Sequence, residues 1–204
     1  MNRWKRIKRL LPLLLSLLML LCSCGQEQET PPESEAEYPY DTFTYTHYAS
    51  GGTAEEYTAV ILFEQNCSTF TSYQVAFSSC TCRDSMVNYF SVCYVELLNT
   101  RPTGDQSAVR SITFGENRGL WGDSNPNYYI SDYTQEYMDE NFVQQLVGVT
   151  KQEFDDWGGY GTQLDAIEPD AVSGATVSTG NITSMLKELF AYHAAKYYPE
   201  SSTE

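Results

Sequence analysis

The chain has 204 residues, of which 42% are hydrophobic and 19% are charged, so its length and composition suit one globular domain with short flanking segments. Its 12 basic residues are outnumbered by 27 acidic ones, which gives a formal net charge of -15. Most of the chain is more acidic still, because several basic residues lie in the run from Arg3 to Arg9. Such a surface repels nucleic acid, and we therefore exclude nucleic acid as a partner.

Residues 1–23 have the pattern of a secretory signal. The basic run is followed by an apolar stretch from Leu10 to Cys22, which is shorter than the roughly 20 residues that a transmembrane helix needs. Leu21-Cys22-Ser23-Cys24 resembles a bacterial lipobox, which implies cleavage before Cys24 and a lipid on its nucleophilic sulfur. Cys22 departs from that pattern, and an ordinary signal peptide cut nearby is the alternative. We expect an exported protein, lipid-anchored on the outer face of the cytoplasmic membrane.

Residues 24–52 are predicted to be an acidic, flexible tether. Gln26 to Glu37 contains almost no apolar side chain, so it cannot bury enough surface to offset the entropy lost on ordering. The aromatic residues from Tyr38 to Tyr48 make the second half of this segment better able to pack on the domain. This division leaves residues 53–199 as the folded domain and 200–204 as a tail, and it places His47 in the tether.

Four segments in the first half of the domain have the composition of strands. They are rich in β-branched and aromatic residues and comprise 58–63, 74–79, 87–98 and 108–114. The first of them fits a buried helix equally well. Turn-forming residues occupy 101–106, and a loop with glycine and proline is predicted over 115–127.

The hydrophobic spacing then changes to that of helices. Met138, Phe142 and Leu146 predict one helix that ends at Gly148, and the capping box that begins at Thr150 predicts a short second one through Trp157. The last helix, running to about Tyr198, has one apolar face: Ile182, Met185, Leu186, Leu189, Phe190 and His193. Strands followed by helices predict an α+β domain, with helices packed on a mostly antiparallel sheet.

The segment Asp170-Ala-Val-Ser-Gly-Ala-Thr176 directly precedes the last helix. Its small residues allow a ligand to approach the backbone closely, and the free N–H groups of the first helical turn, near Ser178 to Asn181, favour a phosphate. Thr176 adds a hydroxyl group at the same place. A helix cap rich in serine and threonine is the simpler alternative.

The pattern Asp-x-x-Ser-Gly-Ala-Thr resembles the flavinylation motif of FMN-binding domains. These occur in the sodium-translocating NADH:quinone reductase, in Rnf complexes and in extracytoplasmic bacterial flavoproteins. In that family a flavin transferase attaches FMN through its phosphate to the motif threonine. The resemblance implies an FMN-binding-domain-like fold, covalent FMN on Thr176, and motif or cofactor contacts from Asp170, Ser173, Gly174, Ala175, Ser178 and Thr179.

Many members of that family carry an acidic-Thr-Pro-Gly-type loop between the strands and the helices. This chain has residues 115–126 in the corresponding place. We expect Arg118, Leu120 and Trp121 to border the isoalloxazine ring, because an aromatic side chain can stack on it and an arginine can stabilise its reduced anion. The alternative is that Trp121 fills part of the core.

The four cysteines of the domain allow several interpretations. Cys80 and Cys82 could form disulfides with Cys67 and Cys93, as an even count in an exported protein suggests. A redox or metal site on Cys80-Thr81-Cys82 and free buried thiols are the alternatives. We expect no metal site, and with only two histidines a catalytic triad is disfavoured.

The function predicted from these features is electron transfer outside the cytoplasm. Covalent FMN would shuttle electrons between a membrane donor and an external acceptor, and a flavin transferase would be the maturation partner. We assign no catalytic residue, since an electron carrier or redox subunit fits the sequence better than a stand-alone reductase. A cofactor-free lipoprotein that binds a solute or a surface is the alternative.

Overall fold

Five antiparallel strands form a single sheet in the computed structural model, which describes residues 39–49, 51–80, 89–117, 135–167 and 176–199. For residues 89, 116, 117, 135 and 176 we describe the backbone alone. The strands are β1 (Thr42–Tyr48), β2 (Ala54–Asn66), β3 (Phe70–Cys80), β4 (Tyr89–Leu98) and β5 (Val109–Asn117). They lie in chain order, so each pairs with its sequence neighbour. The prediction of an α+β domain with a mostly antiparallel sheet is confirmed.

Three helical segments follow the sheet among the residues that the structure describes. The first, α1, is an α-helical turn (Gln135–Met138) that continues as a π-helical segment (Asp139–Val143) and a 3₁₀ turn (Gln144–Leu146). Gly148 follows it with φ +93°, which explains why a glycine ends the helix. The second, α2, spans Lys151–Asp156, and α3 spans Thr176–Tyr197.

The long helix α3 forms the centre of the core. All six residues of its predicted apolar face, from Ile182 to His193, are fully buried. They pack on the inner face of the sheet, where Tyr73, Val75 and Phe77 alternate with outward-facing neighbours along β3. α3 also contacts α2, where the rings of Phe154 and Phe190 lie 5.2 Å apart. The helix therefore packs against both the sheet and a second helix.

The folded part begins before residue 53, contrary to the predicted boundary of the tether. β1 pairs with β2 from Thr42 opposite Val60 to Tyr48 opposite Ala54. Tyr45 and His47 point inward and are almost fully buried, while the alternating Thr44 and Thr46 face outward. This period of two is that of a half-buried strand, and the Thr- and Tyr-rich composition supports it. His47 is consequently a buried residue of the domain.

The proposed pairing of Cys67 and Cys93 with Cys80 and Cys82 is wrong for the first two, because both are free. Cys80 is disulfide-bonded, and Cys82 lies outside the described residues. Cys67 lies beside Phe70 at one end of β3 and Cys80 at the other end, about 33 Å away at roughly 3.3 Å per residue. A disulfide requires Cα atoms within about 7 Å, so strand geometry prevents that bridge.

The capping box of α2 provides a test of the local folding signals. Thr150 Oγ1 accepts a hydrogen bond from the N–H of Glu153 (3.3 Å), and the Glu153 carboxylate accepts one from the N–H of Thr150 (2.8 Å). We expect Thr150→Val to lower the free energy of unfolding by about 1 kcal/mol, because valine keeps the shape and loses the acceptor. Urea unfolding measures this loss. Thr150→Ser is the control that keeps the hydroxyl, and equal losses in both variants would contradict the assignment.

Candidate functional site

The pairing between strands is interrupted at the end of the sheet where α3 begins. The pairing of β2 with β3 ends at Val60 opposite Ala76, and a β-bulge interrupts the pairing of β3 with β4 between Phe77 and Cys80. Bulges of this kind redirect side chains and leave carbonyl groups free to accept bonds from outside the sheet. Side chains of β1 and α3 use the two carbonyls of this bulge, those of Ser78 and Ser79.

Tyr45 and His47 of β1 hydrogen-bond to the first of these carbonyls. The Tyr45 hydroxyl donates to Ser78 O at 2.6 Å, and His47 Nδ1 lies 3.1 Å from the same oxygen. The His47 ring also stacks on Tyr57, with the ring centres 4.3 Å apart. Burial lowers the pKa of His47, although the Ser78 carbonyl and the charge of Glu55 oppose that change. The neutral imidazole is therefore the stable form in this setting.

Asn181 of α3 bonds to the second carbonyl and to β1. Its Nδ2 donates to Ser79 O (2.9 Å) and to Tyr48 O (3.0 Å), and its Oδ1 accepts from Tyr48 N (2.6 Å). The side chain is fully buried, and its bonds satisfy one buried backbone group, Ser79 O, and two part-buried ones of Tyr48. Asn181 thereby fixes the start of α3 against the ends of two strands. Its place four residues before Met185 on the apolar face is the sequence signal that we missed.

The first turn of α3 has the chemistry of an anion site. The first N–H groups of a helix lack intrahelical partners, and the helix dipole places partial positive charge there. No acidic residue occurs in this turn, although the chain has 27 of them. Ser178 is half-buried, and Thr179 is buried. A first helical turn without carboxylates is a setting that favours an anion such as phosphate.

The predicted site residues are only partly within the described residues. Thr176 is the first residue of α3, so the motif leads directly into the helix as its sequence predicts. The other motif residues lie outside the described part of the chain, as do the three loop residues expected near the flavin and the lipidation site: Asp170, Ser173, Gly174, Ala175, Arg118, Leu120, Trp121 and Cys24.

Three aromatic side chains that the sequence analysis did not assign to the site lie beside the start of α3. Tyr48 ends β1, Trp157 follows α2, and Tyr160 lies in the glycine-rich turn after it. The Tyr48 ring centre is 5.4 Å from that of Tyr160 and 6.2 Å from that of Trp157. We call these residues the aromatic cluster. The sequence Trp157-Gly-Gly-Tyr-Gly161 carries its signal, but we interpreted it only as the end of a helix.

A second polar cluster lies at the opposite end of α3 and has a structural role. The Lys196 ammonium donates to Glu64 (2.8 Å) and Asp41 (3.3 Å). The Tyr192 hydroxyl lies 2.8 Å and 2.7 Å from the same two carboxylates and shares its one proton between them. Burial alone would raise the pKa of Glu64, but hydrogen bonds from Lys196, Tyr197 and Tyr192 together lower it. These contacts hold the carboxylates ionised and tie the end of α3 to β2.

A groove of about 760 Å³ away from the start of α3 is lined by Asp105, Lys151 and Tyr198, among others. The Lys151 ammonium is already paired with Asp155 (2.5 Å) and Asp105 (3.3 Å). Within the described ranges, no group of three or more His, Cys, Asp or Glu side chains could hold a metal ion. No helix among these residues is long and apolar enough to cross a bilayer.

Comparison of the chain with family models, curated proteins and solved structures found no match. The start of α3, with its donors and the neighbouring aromatic cluster, is therefore identified as the candidate site from its own geometry.

Asn181→Ala tests whether this amide fixes the start of α3. We expect the free energy of unfolding to fall by about 2 kcal/mol or more, because three backbone groups lose their partner, one of them in a buried place and two in a partly buried one. Asn141→Ala is the matched control, since the Asn141 amide makes one solvent-exposed bond to Tyr137 O that water can replace. Urea unfolding of both variants measures the two losses of stability. Equal losses in the two variants would contradict the role of Asn181.

His193 provides a prediction about pH. Its Nδ1 lies 2.9 Å from the Tyr73 hydroxyl, and burial lowers its pKa from 6.5 to about 4, with Leu98 O and Glu64 opposing in part. Between these values the unfolded chain binds a proton that the folded chain does not, so stability falls as the pH falls. From pH 7 to pH 5 we expect this histidine to reduce the free energy of unfolding by about 2 kcal/mol.

The variant His193→Gln isolates this contribution. Glutamine keeps a polar group beside Tyr73 but does not titrate, so the variant should lose less stability than the parent between pH 7 and pH 5. The pKa of His47 is lowered as well and contributes in the same direction in both proteins, so the comparison removes it. Urea unfolding at the two pH values measures the difference, and an undiminished loss in the variant would show that His193 is not responsible.

Proposed function

We propose that this protein is an exported electron-transfer flavoprotein that carries FMN bound covalently to Thr176. One observation carries the proposal: the segment Asp170–Thr176, which resembles a flavinylation motif, leads directly into a helix whose first residue is Thr176. A phosphate attached at residue 176 would thus lie at the N-terminal turn of that helix, where the N–H groups precede the first intrahelical hydrogen bonds. The α+β architecture, with its antiparallel sheet and final helix, is compatible with an FMN-binding-domain-like fold.

The residues of the chain would bind and orient the cofactor. The N–H groups of the first turn of α3 would donate hydrogen bonds to the phosphate, and the absence of carboxylates from that turn removes electrostatic repulsion. Asn181 would hold the turn in a fixed position relative to β1 and β3. Bound FMN would supply one- and two-electron redox chemistry, for which the protein provides orientation and the local electric field.

Covalent attachment and a membrane anchor would serve the same purpose outside the cytoplasm. A dissociable flavin would be lost by dilution, whereas an ester to Thr176 retains it. A lipid on Cys24 would keep the domain close to a membrane electron donor, and the segment before β1 would let it reach an external acceptor at raised effective concentration. A flavin transferase is then the partner needed for maturation.

The proposal is tested by the intact mass of the full chain, produced with and without a co-exported flavin transferase. We expect a gain equal to one FMN less one water only when the transferase is present, located by peptide mapping on the peptide that contains Thr176. Thr176→Ala should abolish the gain, because the ester needs the hydroxyl. The control Thr113→Ala changes an exposed threonine on β5 and should retain it.

The opposite result would also be informative. If the parent gains no mass while the transferase modifies a control substrate, Thr176 is a helix cap and the proposed function is wrong. A cofactor-free lipoprotein that binds a solute or a surface then describes the chain better.

A further inference from the structure

The aromatic cluster differs from the aromatic residues of the core in remaining partly exposed. Tyr48, Trp157 and Tyr160 are each half-buried, whereas Phe154 and Phe190 are fully buried nearby. The three residues come from separate segments and converge at one end of the sheet. Their rings thus form an apolar surface that still has accessible area.

The backbone holds this surface in place. Gly52, at φ +83°, packs directly against the Tyr160 ring, where a Cβ atom would lie only 2.8 Å from Cδ1. Gly159, at φ +92°, allows the turn that carries Tyr160. The Trp157 indole N–H donates to Thr162 O at 3.2 Å, which closes the same turn. The rings are therefore positioned before any ligand arrives, which reduces the entropy lost on binding.

The surface faces the side of α3 on which residue 176 lies. A Cβ atom on Gly180 would lie 3.8 Å from the Tyr160 ring and 3.9 Å from the Tyr48 ring, so position 180 is next to the cluster. Residue 176 is four positions earlier, on the same helix face and about 6 Å closer to the N-terminus. A group attached there would begin one helical turn from the aromatic surface.

We propose that Tyr48, Trp157 and Tyr160 form the surface on which the isoalloxazine ring of a flavin attached at Thr176 packs. This inference rests on the proposed function and adds residues that bind the ring. The ribityl chain separates the phosphate from the ring by several bonds. This length lets the ring reach the aromatic surface when the phosphate is attached one helical turn away. The exposed aromatics Phe63 and Tyr94 lie on the opposite face of the sheet from α3 and cannot serve this purpose.

The test uses the fluorescence of the attached flavin, because tyrosine and tryptophan quench it on contact by donating an electron to the excited ring. The full chain is matured with flavin transferase as a triple variant, Tyr48→Phe, Trp157→Phe and Tyr160→Phe. Phenylalanine keeps a ring at each position and does not donate an electron readily. We expect flavin fluorescence to rise by about twofold or more relative to the parent, at equal attached mass.

The matched control replaces two exposed tyrosines elsewhere, Tyr94→Phe and Tyr137→Phe, and should leave the fluorescence unchanged. Urea unfolding shows whether the triple variant is folded. If it is not, the single variant Tyr160→Phe takes its place in the fluorescence measurement and should show a smaller rise. Full flavin mass with unchanged fluorescence in these variants would overturn the inference and leave the proposed function intact. Absence of flavin mass from the parent would overturn both.

Discussion

The position of α3 depends on how the buried Asn181 amide satisfies backbone groups at the open end of the sheet. From Thr179 to Leu186 the helix is buried on all sides, so nothing there can be solvated by water. The bulge in β3 and the end of β1 present carbonyl and N–H groups to the same space. The Asn181 amide hydrogen-bonds to three of these groups. A buried group left without a partner would lower the free energy of unfolding by about 1–3 kcal/mol. Moving the start of the helix away from this position would break these three hydrogen bonds.

Signals that act over a few residues allowed much of the fold to be predicted. The apolar face of α3, the capping box at Thr150 and the glycine at 148 are each set by neighbours within about one or two helical turns, so spacing alone reveals them. β1 carries an equally regular signal, with Phe43, Tyr45 and His47 facing inward. Because this segment directly follows a polar one, composition alone predicts that it belongs to the tether. The alternation of inward- and outward-facing residues along 42–48 is the signal that predicts a strand instead.

The arrangement of the candidate site could not be predicted in the same way, since it depends on contacts between distant parts of the chain. Tyr48 and Asn181 are 133 positions apart, and the aromatic cluster joins the end of β1 to the turn after α2. The same limit applies to the cysteines, because an even count gives no information about distance along a strand. Cys67 is separated from Cys80 by the whole length of β3 and remains free. The motif indicates where a ligand would be attached but not what surrounds it.

The two ends of α3 are held by different chemistry, and the difference bears on which ligand the first turn can accept. At the C-terminal end, Lys196 complements the negative end of the helix dipole and pairs with Glu64. Near the N-terminal end the structural contact is the neutral amide of Asn181. An aspartate there would place an oxygen against two carbonyls and would partly cancel the positive potential of the first turn. A neutral anchor and a first turn without carboxylates leave that potential available to an incoming anion, in a chain whose overall charge otherwise repels anions.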